Sequence, residues 1–256
     1  MAAKSLPANL VCGNSHILFD ANLLTKPDDH LFSNDWLNQH GILKSTGSGR
    51  GESWFIDIEY PAQQSRQWVL RHYLRGGLVA KLNRDMYLGW QAEHSRAWKE
   101  WRLLHHMHTL DLPVPRPLAA RARWPAGRLS GLYQADLLLE RIPHCSNLSS
   151  LLEQQALSET LWRNIGHCLK TFHQHDISHA DLNANNILID TQQKIYLIDF
   201  DRCRITRDAQ LKAGNLPRLH RSLLKLQGLH ATYHFTEQDW QHLLAGYNDS
   251  TSSYVS

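Results

Sequence analysis

The sequence predicts an α+β fold in two lobes, rich in strands in its first half and mostly helical in its second. Apolar and polar residues alternate over WFIDIE, beside a glycine-rich stretch, which is typical of a strand and its turn. An apolar stripe recurs at helical spacing over residues 94–110. We place the join near residue 142, so the predicted lobes are residues 1–142 and residues 143–256.

The composition is that of a globular protein. Of the 256 residues, 42% are hydrophobic, which is enough apolar material for a sizeable core. The net charge of +3 permits an anionic ligand without requiring one, and the basic residues are too dispersed to indicate nucleic-acid binding. The four cysteines form no CxxC pair, so neither a zinc site nor a disulfide framework is indicated.

Hydropathy limits the expected relation to a membrane. The N-terminus lacks the apolar stretch of a secretion signal. No window approaches the ~18 apolar residues that are needed to span a bilayer. We therefore expect contact with a membrane surface at most, without crossing.

The first lobe is predicted to combine short strands with one long helix. In order, the predicted elements are a short helix at residues 34–39, a strand–turn–strand over residues 41–60, a strand at residues 67–74, the helix at residues 94–110 and a strand at residues 133–142. Gly41 ends the first helix, and the prolines of PVPRP exclude a helix after the second.

The second lobe is predicted to hold helices and one hairpin. Residues 148–152 and 160–173 are predicted to be helical. Another helix is expected to begin with Asn215 as its cap, and Pro217 is tolerated in its first turn. Between these helices, NILID and IYLID have the composition of two strands joined by a turn.

The hairpin places polar residues at its open end. Asn186 begins one predicted strand and Asp199 ends the other, each six residues from a turn centred on Gln192 and Gln193. In a regular antiparallel ladder they face each other, with Cα atoms ~5 Å apart. An amide oxygen beside a carboxylate suits Mg²⁺, which completes its octahedron with waters and nucleotide phosphates.

Asp181 lies five residues before Asn186, in the loop that leads into the first strand. Its carboxylate is placed to take a proton from an attacking hydroxyl, or to orient that hydroxyl. Each residue alone has a structural alternative, as a turn cap or as the start or end of a strand. Together, and with His179 two residues before Asp181, they favour a catalytic role.

This segment has a clear resemblance. HADLNANN resembles the kinase catalytic loop HRDxxxxN, and IDFD resembles the DFG segment that follows it in kinases. The resemblance implies a bilobal protein-kinase-like fold that uses ATP and Mg²⁺. It implies Asp181 as catalytic base, Asn186 and Asp199 as metal ligands, and His179 as a structural member of the loop.

A kinase-like first lobe implies a nucleotide site. Gly47, Gly49 and Gly51 lie between two strands, where their backbone amides can close over phosphates; a flexible hairpin tip is the alternative. LLLERI resembles the hinge of kinases, which implies that the backbone around Glu140 and Ile142 meets the adenine.

The phosphate-binding cation departs from the kinase pattern. Arg71 occupies the strand position where kinases carry a lysine, and an arginine can also bind phosphate. Lys81 is a rival that the sequence does not exclude. Glu100, on the predicted helix, is the best partner for either cation, and a solvated helix face is its structural alternative.

Longer segments narrow the resemblance to one family. VLRHYLRGGLVAKL, LPVPRPLAAR and LLLERI, together with the loop and hairpin, resemble the lipopolysaccharide kinase family over roughly residues 40–230. This implies ATP-dependent phosphorylation of the 4-hydroxyl of the sugar 3-deoxy-D-manno-octulosonic acid (Kdo) on Kdo-lipid IVA, a lipid A precursor, in inner-core lipopolysaccharide biosynthesis. It also implies a peripheral protein at the cytoplasmic face of the inner membrane.

Such an acceptor carries a sugar carboxylate and lipid phosphates, so cations are expected in the second lobe. Arg202 and Arg204 follow the predicted metal aspartate. Arg218 and Arg221 share a face of the predicted helix after Asn215. A solvated surface helix explains the same arrangement equally well.

A further basic cluster lies in the first lobe. Arg121, Arg123 and Arg128 surround Trp124, an aromatic residue of the kind that rests at lipid interfaces. A plain solvated loop is the favoured alternative for this cluster.

Two other functions stay open at this point. A small-molecule phosphotransferase of the aminoglycoside type shares the HxDxxxxN loop, but the arginines after IDFD and the Arg71 strand count against it. A pseudokinase that binds without turnover is supported by Arg71 in place of lysine. The intact set of Asp181, Asn186 and Asp199 argues against a pseudokinase.

Overall fold

The computed structural model of the protein describes residues 6–40, 42–47, 52–59, 65–74 and 85–249. The chain forms two compact units. Unit 1 comprises Met1–Leu110 and Pro115–Ile142, and unit 2 comprises Asp111–Val114 and Pro143–Ser256. Unit 1 is built on a large antiparallel sheet and unit 2 mainly on helices, which confirms the predicted α+β class.

Unit 1 contains eight strands and two α-helices among the described residues. The strands are β1 (Pro7–Cys12), β2 (Ser15–Asp20), β3 (Leu43–Gly47), β4 (Glu52–Glu59), β5 (Ser65–His72), β6 (Tyr87–Leu88), β7 (Pro117–Arg123) and β8 (Leu132–Glu140), and the helices are α1 (Asn34–Gln39) and α2 (Arg96–Thr109). The sheet has the order β1–β2–β7–β8–β5–β4–β3, and β6 pairs with β8. All these pairs are antiparallel.

Side chains alternate along each strand, so the sheet has two faces of side chains. Each face is covered by other parts of unit 1. Trp68 and Leu70 of β5 are buried on one face, where they join an apolar cluster that includes Leu24 and Leu37 from the segment before β3. The other face packs on α2. Arg71 follows Leu70 in β5, so its side chain lies on the opposite face, the one that packs on α2. It forms an ion pair there with Glu100 of α2.

The N-terminal hairpin was not predicted. Strands β1 and β2 pair with each other within residues 6–20, and β2 also pairs with β7. Five of the six residues of β2 are buried, so the strand lacks the alternation of apolar and polar residues that marks a half-buried strand. The predicted short helix, in contrast, is present as α1.

The basic cluster of the first lobe is divided by burial: Arg123 and Arg128 are exposed, whereas Arg121 and Trp124 are buried. Arg121 lies in β7, is buried, and forms a 2.8 Å ion pair with Asp136 of β8 and a 3.0 Å pair with Asp29. Trp124 is also buried, and its indole N–H donates to the Gly89 carbonyl (2.8 Å). The lipid-interface hypothesis is therefore wrong for Trp124, because the ring fills the interior of unit 1.

Unit 2 contains helices around short strand pairs. The helices are α3 (Leu148–Gln154), α4 (Glu159–Gln174), α5 (Ala209–Ala213), α6 (Asn215–Gln227) and α7 (Glu237–Asn248), and the strands are β9 (Cys145–Asn147), β10 (Ile177–Ser178), β11 (Ile187–Asp190), β12 (Ile195–Leu197) and β13 (Arg204–Ile205). In the described part of the unit, β12–β11–β9 form one small sheet and β10–β13 another.

Helices α4 and α7 cross at two glycines. A Cβ atom on Gly166 would lie 2.1 Å from the Leu243 carbonyl oxygen, and one on Gly246 would lie 2.1 Å from the Arg163 carbonyl oxygen. The two backbones can approach this closely because neither glycine has a side chain. Helix α7 was not predicted, although the capping box of Thr236 and Asp239 is visible in the sequence.

The predicted register of the hairpin is wrong by one residue. Ile187 pairs with Leu197, and the Ile198 N–H donates to the Asn186 carbonyl (3.0 Å). Asn186 therefore lies opposite Ile198 and not opposite Asp199. It also precedes β11, at the end of a short 3₁₀ turn (Ala184–Asn186).

The shift in register comes from the turn, which has three residues where two were predicted. The Asp190 N–H donates to the Lys194 carbonyl (3.0 Å), which leaves Thr191, Gln192 and Gln193 in the loop. Gln193 adopts a φ of 61°, as is usual for the last residue of a three-residue hairpin loop. The Asp190 carboxylate accepts hydrogen bonds from two N–H groups of this turn.

Candidate functional site

The predicted catalytic loop, residues 179–186, connects β10 to β11 in unit 2. Asp181 is exposed on this loop, whereas His179 and Asn186 are buried. The loop thus presents one carboxylate to solvent and anchors itself with the residues on either side of it.

His179 ties the loop to the residue before Asp199. Its Nε2 donates to the Ile198 carbonyl (3.0 Å), and its Nδ1 accepts from the Asp181 N–H (3.3 Å). A carbonyl can only accept and a backbone N–H can only donate, so these partners fix the neutral ring with its proton on Nε2. Burial lowers the pKa of His179, and this outweighs the Ile198 hydrogen bond and the charges of Asp199 and Asp181, which raise it.

Asn186 is oriented by the loop itself. Its Nδ2 donates to the Asp181 carbonyl (2.9 Å). Because the amide nitrogen makes this bond, the amide oxygen is the atom of this side chain that would meet a cation. This hydrogen bond therefore joins the side chain of Asn186 to the loop backbone at Asp181.

Asp199 has an unusual backbone conformation. Its φ is 64°, in the left-handed region that residues other than glycine rarely adopt. Such outliers cluster at functional sites, where the surrounding structure holds them. The following turn is closed by a hydrogen bond from the Cys203 N–H to the Phe200 carbonyl (3.0 Å), and the Cys203 sulfur accepts from the Ala180 N–H (3.1 Å). These bonds tie the Asp199 segment back to the catalytic loop.

The oxygens of Asn186 and Asp199 are of the kind that Mg²⁺ binds. Among the described residues, no group of three or more histidine, cysteine, aspartate and glutamate side chains is placed to hold a metal ion. Asn186 and Asp199 offer an amide oxygen and a carboxylate, which are hard donors. Mg²⁺ commonly takes one or two protein oxygens and fills its octahedron with waters and substrate phosphates.

Asn215 is a further residue of the site, and the sequence did not reveal its role. The helix cap is Gly214, so the predicted capping role of Asn215 is wrong. The Asn215 side chain is 1% exposed, and it binds both backbone groups of His179: Oδ1 accepts from the N–H (3.0 Å) and Nδ2 donates to the carbonyl (2.8 Å). The partners are 36 residues apart in the chain, so the sequence carries no local signal for this contact.

His173 and Tyr247 extend this network to α7. His173 Nε2 lies 3.0 Å from Asn215 Oδ1, and His173 Nδ1 lies 2.7 Å from the Tyr247 hydroxyl. Burial lowers the pKa of His173, which outweighs the raising effect of the Asn215 hydrogen bond. A neutral His173 donates to Asn215 and accepts from Tyr247, so all three side chains are satisfied.

Unit 1 holds the predicted cation and its partner. Arg71 Nη1 donates to Glu100 Oε1 (2.8 Å), and the Tyr73 hydroxyl donates to the other carboxylate oxygen. Glu100 is 3% exposed, so the alternative of a solvated helix face is wrong. Lys81, the rival cation, lies outside the described residues.

Some of the remaining candidates for the nucleotide site lie within the described residues and others do not. Gly47 ends β3, where it pairs with Ser53 of β4. Gly49 and Gly51 lie outside the described residues. Glu140 ends β8, and its N–H donates to the Arg116 carbonyl (2.9 Å). The backbone N–H of Glu140 is therefore engaged, and an adenine contact at this residue would use another group. Ile142 closes the unit 1 segment.

One of the predicted acceptor arginines contacts the catalytic loop. Arg218 of α6 is half-buried, and its Nη1 donates to the His179 carbonyl (3.4 Å). Arg202, Arg204 and Arg221 are exposed. Arg202 lies on the turn after Asp199, with a φ of 63°.

An apolar cavity of about 450 Å³ lies elsewhere in unit 2, between α6 and α7. Its lining includes Leu216, Pro217, Trp240 and Tyr247 and none of the predicted catalytic or metal residues. Across the described residues, no helix is both long enough and apolar enough to span a membrane.

Comparison with known proteins decides the family. Residues 34–247 match the sequence model of the lipopolysaccharide kinase (Kdo/WaaP) family. The chain belongs to this family. The resemblance predicted from the sequence and the bilobal, protein-kinase-like fold are thereby confirmed.

Three curated relatives illustrate the similarity. The chain is 38% identical over 237 residues to the 3-deoxy-D-manno-octulosonic acid kinase of Actinobacillus succinogenes. The aligned region covers 91% of this chain and 95% of the relative. It is 40% identical over 236 residues to the protein of the same name from Photobacterium profundum, with 91% and 95% covered. It is 39% identical over 211 residues to that of Vibrio cholerae, with 82% and 85% covered.

Proposed function

We propose that the protein is an ATP-dependent kinase that phosphorylates the 4-hydroxyl of Kdo on Kdo-lipid IVA, in lipopolysaccharide inner-core biosynthesis. One observation carries the proposal within this family: the Asn186 side-chain amide donates to the Asp181 carbonyl, and the loop is joined to Ile198, the residue before Asp199, at two points. The Asn186 carbonyl accepts from the Ile198 N–H, and the His179 ring, which accepts from the Asp181 N–H, donates to the Ile198 carbonyl. A general base and two metal-binding oxygens are the groups that phosphoryl transfer to a hydroxyl needs.

Asp181 is proposed to act on the acceptor. Its exposed carboxylate orients the attacking hydroxyl and takes its proton as the new O–P bond forms. The bond between the γ-phosphorus and the bridging oxygen breaks, and ADP leaves with those electrons. The His179 and Asn186 bonds hold the loop backbone at Asp181, so the carboxylate starts from a fixed position.

Asn186 and Asp199 are proposed to hold Mg²⁺. The ion, when bound, neutralises charge on the β- and γ-phosphates. The contribution of the protein is the orientation of the two oxygens. The Asp181 carbonyl fixes the amide of Asn186, and Asp199 is held in a left-handed backbone conformation.

Unit 1 is proposed to bind ATP. Arg71 holds phosphate oxygens while Glu100 fixes its guanidinium, and the amides of Gly47, Gly49 and Gly51 close over the phosphates. Backbone groups near Glu140 and Ile142 meet the adenine. Glu100 is itself held by Tyr73, which supports a positioning role for this carboxylate.

The acceptor is proposed to bind to unit 2, at the cytoplasmic face of the inner membrane, where the protein is peripheral. Arg218 contacts the catalytic loop and is the best placed cation for the Kdo carboxylate. Arg202, Arg204 and Arg221 are exposed nearby in the chain and suit lipid phosphates.

The test uses purified protein, Mg-ATP and Kdo-lipid IVA, with mass spectrometry to detect one added phosphoryl group. Lipid IVA without Kdo and the Asp181→Asn variant serve as controls. We expect transfer to the Kdo-bearing lipid by the wild-type protein and none in either control. No transfer from a folded protein that binds ATP would contradict the proposal, and turnover of aminoglycosides in its place would favour a small-molecule phosphotransferase.

A further inference from the structure

Positive charge is concentrated in one segment of unit 2. Residues 202–236 contain seven lysines and arginines and one carboxylate, Asp208. The cations are Arg202, Arg204, Arg207, Lys212, Arg218, Arg221 and Lys225. The whole chain has a net charge of +3, so the remainder of the chain is net negative. Lys212 and Arg207 are paired with Asp176, and Arg202 with Asp201, two carboxylates that lie outside the segment. Arg204, Arg221 and Lys225 are exposed, and their charge favours an anionic partner at the segment.

The same segment exposes apolar side chains. Ile205 (53% exposed), Leu211 (39%), Leu224 (45%) and Leu229 (68%) all lie within it. Among the described residues of unit 2, these four are the large apolar side chains that are exposed. A single exposed leucine needs no explanation. Four within the most cationic segment indicate a surface that meets both apolar and anionic material.

The fold places these residues on neighbouring elements. On α6, Leu219 and Leu223 are buried, while Arg221, Leu224 and Lys225 are exposed on the other side of the helix. Before α6 in the chain, β13 pairs with β10, and the Ser178 hydroxyl of β10 donates to the Leu211 carbonyl of α5 (3.2 Å). Elements β13 and α5 therefore flank the same short strand, and α6 follows α5 directly.

This segment also contacts the catalytic loop. The Arg218 guanidinium donates to the His179 carbonyl (3.4 Å), and the Ala184 N–H donates to the Ser222 hydroxyl oxygen (3.4 Å). A partner that binds the exposed side of α6 would therefore lie close to the loop that carries Asp181.

We propose that the exposed side chains of β13, α5 and α6, with Leu229, form a docking surface for an anionic phospholipid bilayer. The leucines and Ile205 enter the boundary between headgroups and acyl chains, and the arginines and lysines lie at the level of the lipid phosphates. Mixed apolar and cationic surfaces bind anionic membranes by these two contributions together. Docking would bring the catalytic loop close to an acceptor held in the bilayer, and this consequence rests on the proposed function. The binding of the surface to a bilayer does not depend on that function.

The docking surface is tested by flotation of the full-length protein with vesicles of phosphatidylcholine, alone or mixed with phosphatidylglycerol. An apolar variant (Leu224→Ser with Leu229→Ser) and a cation variant (Arg207→Gln with Lys225→Gln) are compared with matched changes in unit 1. The matched variants are Leu88→Ser with Leu129→Ser, and Lys26→Gln with Arg123→Gln, all at exposed positions. Thermal melts establish that each variant is folded.

We expect the wild-type protein to float with the anionic vesicles and not with phosphatidylcholine alone. Each surface variant should lose about tenfold in bound fraction, and the unit 1 variants should change by less than about twofold. Absence of binding to anionic vesicles, or equal losses in the unit 1 variants, would overturn the proposal. Displacement by single-stranded RNA together with normal binding of the apolar variant would overturn it in favour of a general polyanion site.

A second assay separates this proposal from the proposed function. Phosphoryl transfer is measured with Kdo-lipid IVA in anionic vesicles and with free, water-soluble Kdo. The apolar variant should lose transfer to the vesicle-borne acceptor and keep its rate with the soluble one. If no Kdo acceptor is phosphorylated while vesicle binding and its loss in the variants are as expected, the proposed function fails and the docking surface stands.

Discussion

The side-chain amide of Asn215 hydrogen-bonds both the N–H and the carbonyl of His179, at 3.0 and 2.8 Å. The amide satisfies both backbone groups of His179, as a neighbouring strand would, and it holds the start of the catalytic loop. The same Asn215 oxygen lies 3.0 Å from His173 Nε2. Loss of this amide would leave several buried polar groups without partners, and each such group costs about 1–3 kcal/mol.

Asn215→Ala should therefore destabilise the protein by at least about 2 kcal/mol and lower kcat. The KM for ATP should change less than kcat, since Arg71 and the glycines that are proposed to bind the phosphates lie in unit 1. Denaturant unfolding and steady-state kinetics provide the measurements, with Asn185→Ala, an exposed asparagine of the same loop, as control. If both variants had equal stability and kcat, Asn215 would not have the role described.

Asp181→Asn should abolish most turnover without unfolding the protein. Loss of the general base is expected to reduce kcat by about two or more orders of magnitude. Because Asp181 is exposed, its Tm should change little. Asp35→Asn, at another exposed carboxylate, should keep normal kcat. A near-normal rate in Asp181→Asn would remove this residue from the base role.

Arg71 and Glu100 are expected to act together on ATP. Arg71→Met removes a charged hydrogen bond worth about 1.5–3 kcal/mol and should raise the KM for ATP about tenfold or more. The double variant with Glu100→Gln should regain part of the stability and none of the ATP affinity. Lys81→Met is measured beside it. A larger rise in KM for Lys81→Met than for Arg71→Met would assign the phosphate-binding role to Lys81.

Two buried histidines should make the protein less stable in mild acid. Burial lowers the pKa of His173 and of His179 below the ordinary value of about 6.5, so the unfolded chain binds more protons than the native state as the pH falls. Their contribution to stability is present above that value and is lost as the pH falls through their folded-state pKa values. His173→Gln should flatten the fall in Tm between about pH 7.5 and about pH 5.

His72 provides a control of opposite sign. Burial lowers its pKa, but hydrogen bonds and charges from Asp136 and Asp85 outweigh this, so the pKa is raised overall. Its contribution is full below the ordinary value and is lost as the pH rises through the folded-state pKa. His72→Gln should therefore steepen the fall in Tm in acid. Identical pH profiles for both variants and the wild-type protein would contradict these assignments.

Gly166→Ala should be strongly destabilising. The added Cβ would lie 2.1 Å from the Leu243 carbonyl oxygen, so α4 and α7 would have to separate. Overpacking of this kind costs about 1–3 kcal/mol or more. Gly228→Ala is the matched control, since its Cβ would meet the nearest atom at 3.6 Å. Chemical denaturation should therefore leave Gly228→Ala at or above wild-type stability, and equal losses would contradict the close helix crossing.

Sequence patterns predicted many of the elements. Helices α1, α2 and α4 and strands β4 and β5 appear where the pattern of residues placed them, and β8 appears where an uninterrupted apolar run placed it. β7 was missed because alanine and arginine are poor indicators of a strand, and the ion pair of Arg121 with Asp136, which lies in β8, is not visible in the sequence. Local propensity was overridden there by a tertiary contact.

The site was predictable where its chemistry is local in sequence. Spacing alone brought Asp181 and Asn186 into one loop, and the structure adds the hydrogen bond that orients the amide. The register error at the hairpin arose because Gln193 adopts the left-handed conformation, which nothing in a Gln-Gln pair announces. Asn215 was missed since its partner His179 is distant in the chain.

Localisation of the transferred phosphate tests the central claim most directly. The product of Kdo-lipid IVA and Mg-ATP is isolated after reaction with the wild-type protein and, in parallel, with Asp181→Asn. NMR spectroscopy then assigns the phosphorylated hydroxyl. We predict one phosphate on the 4-oxygen of Kdo, formed by the wild-type protein and not by the variant. A phosphate on another group, or equal product from Asp181→Asn, would contradict the account.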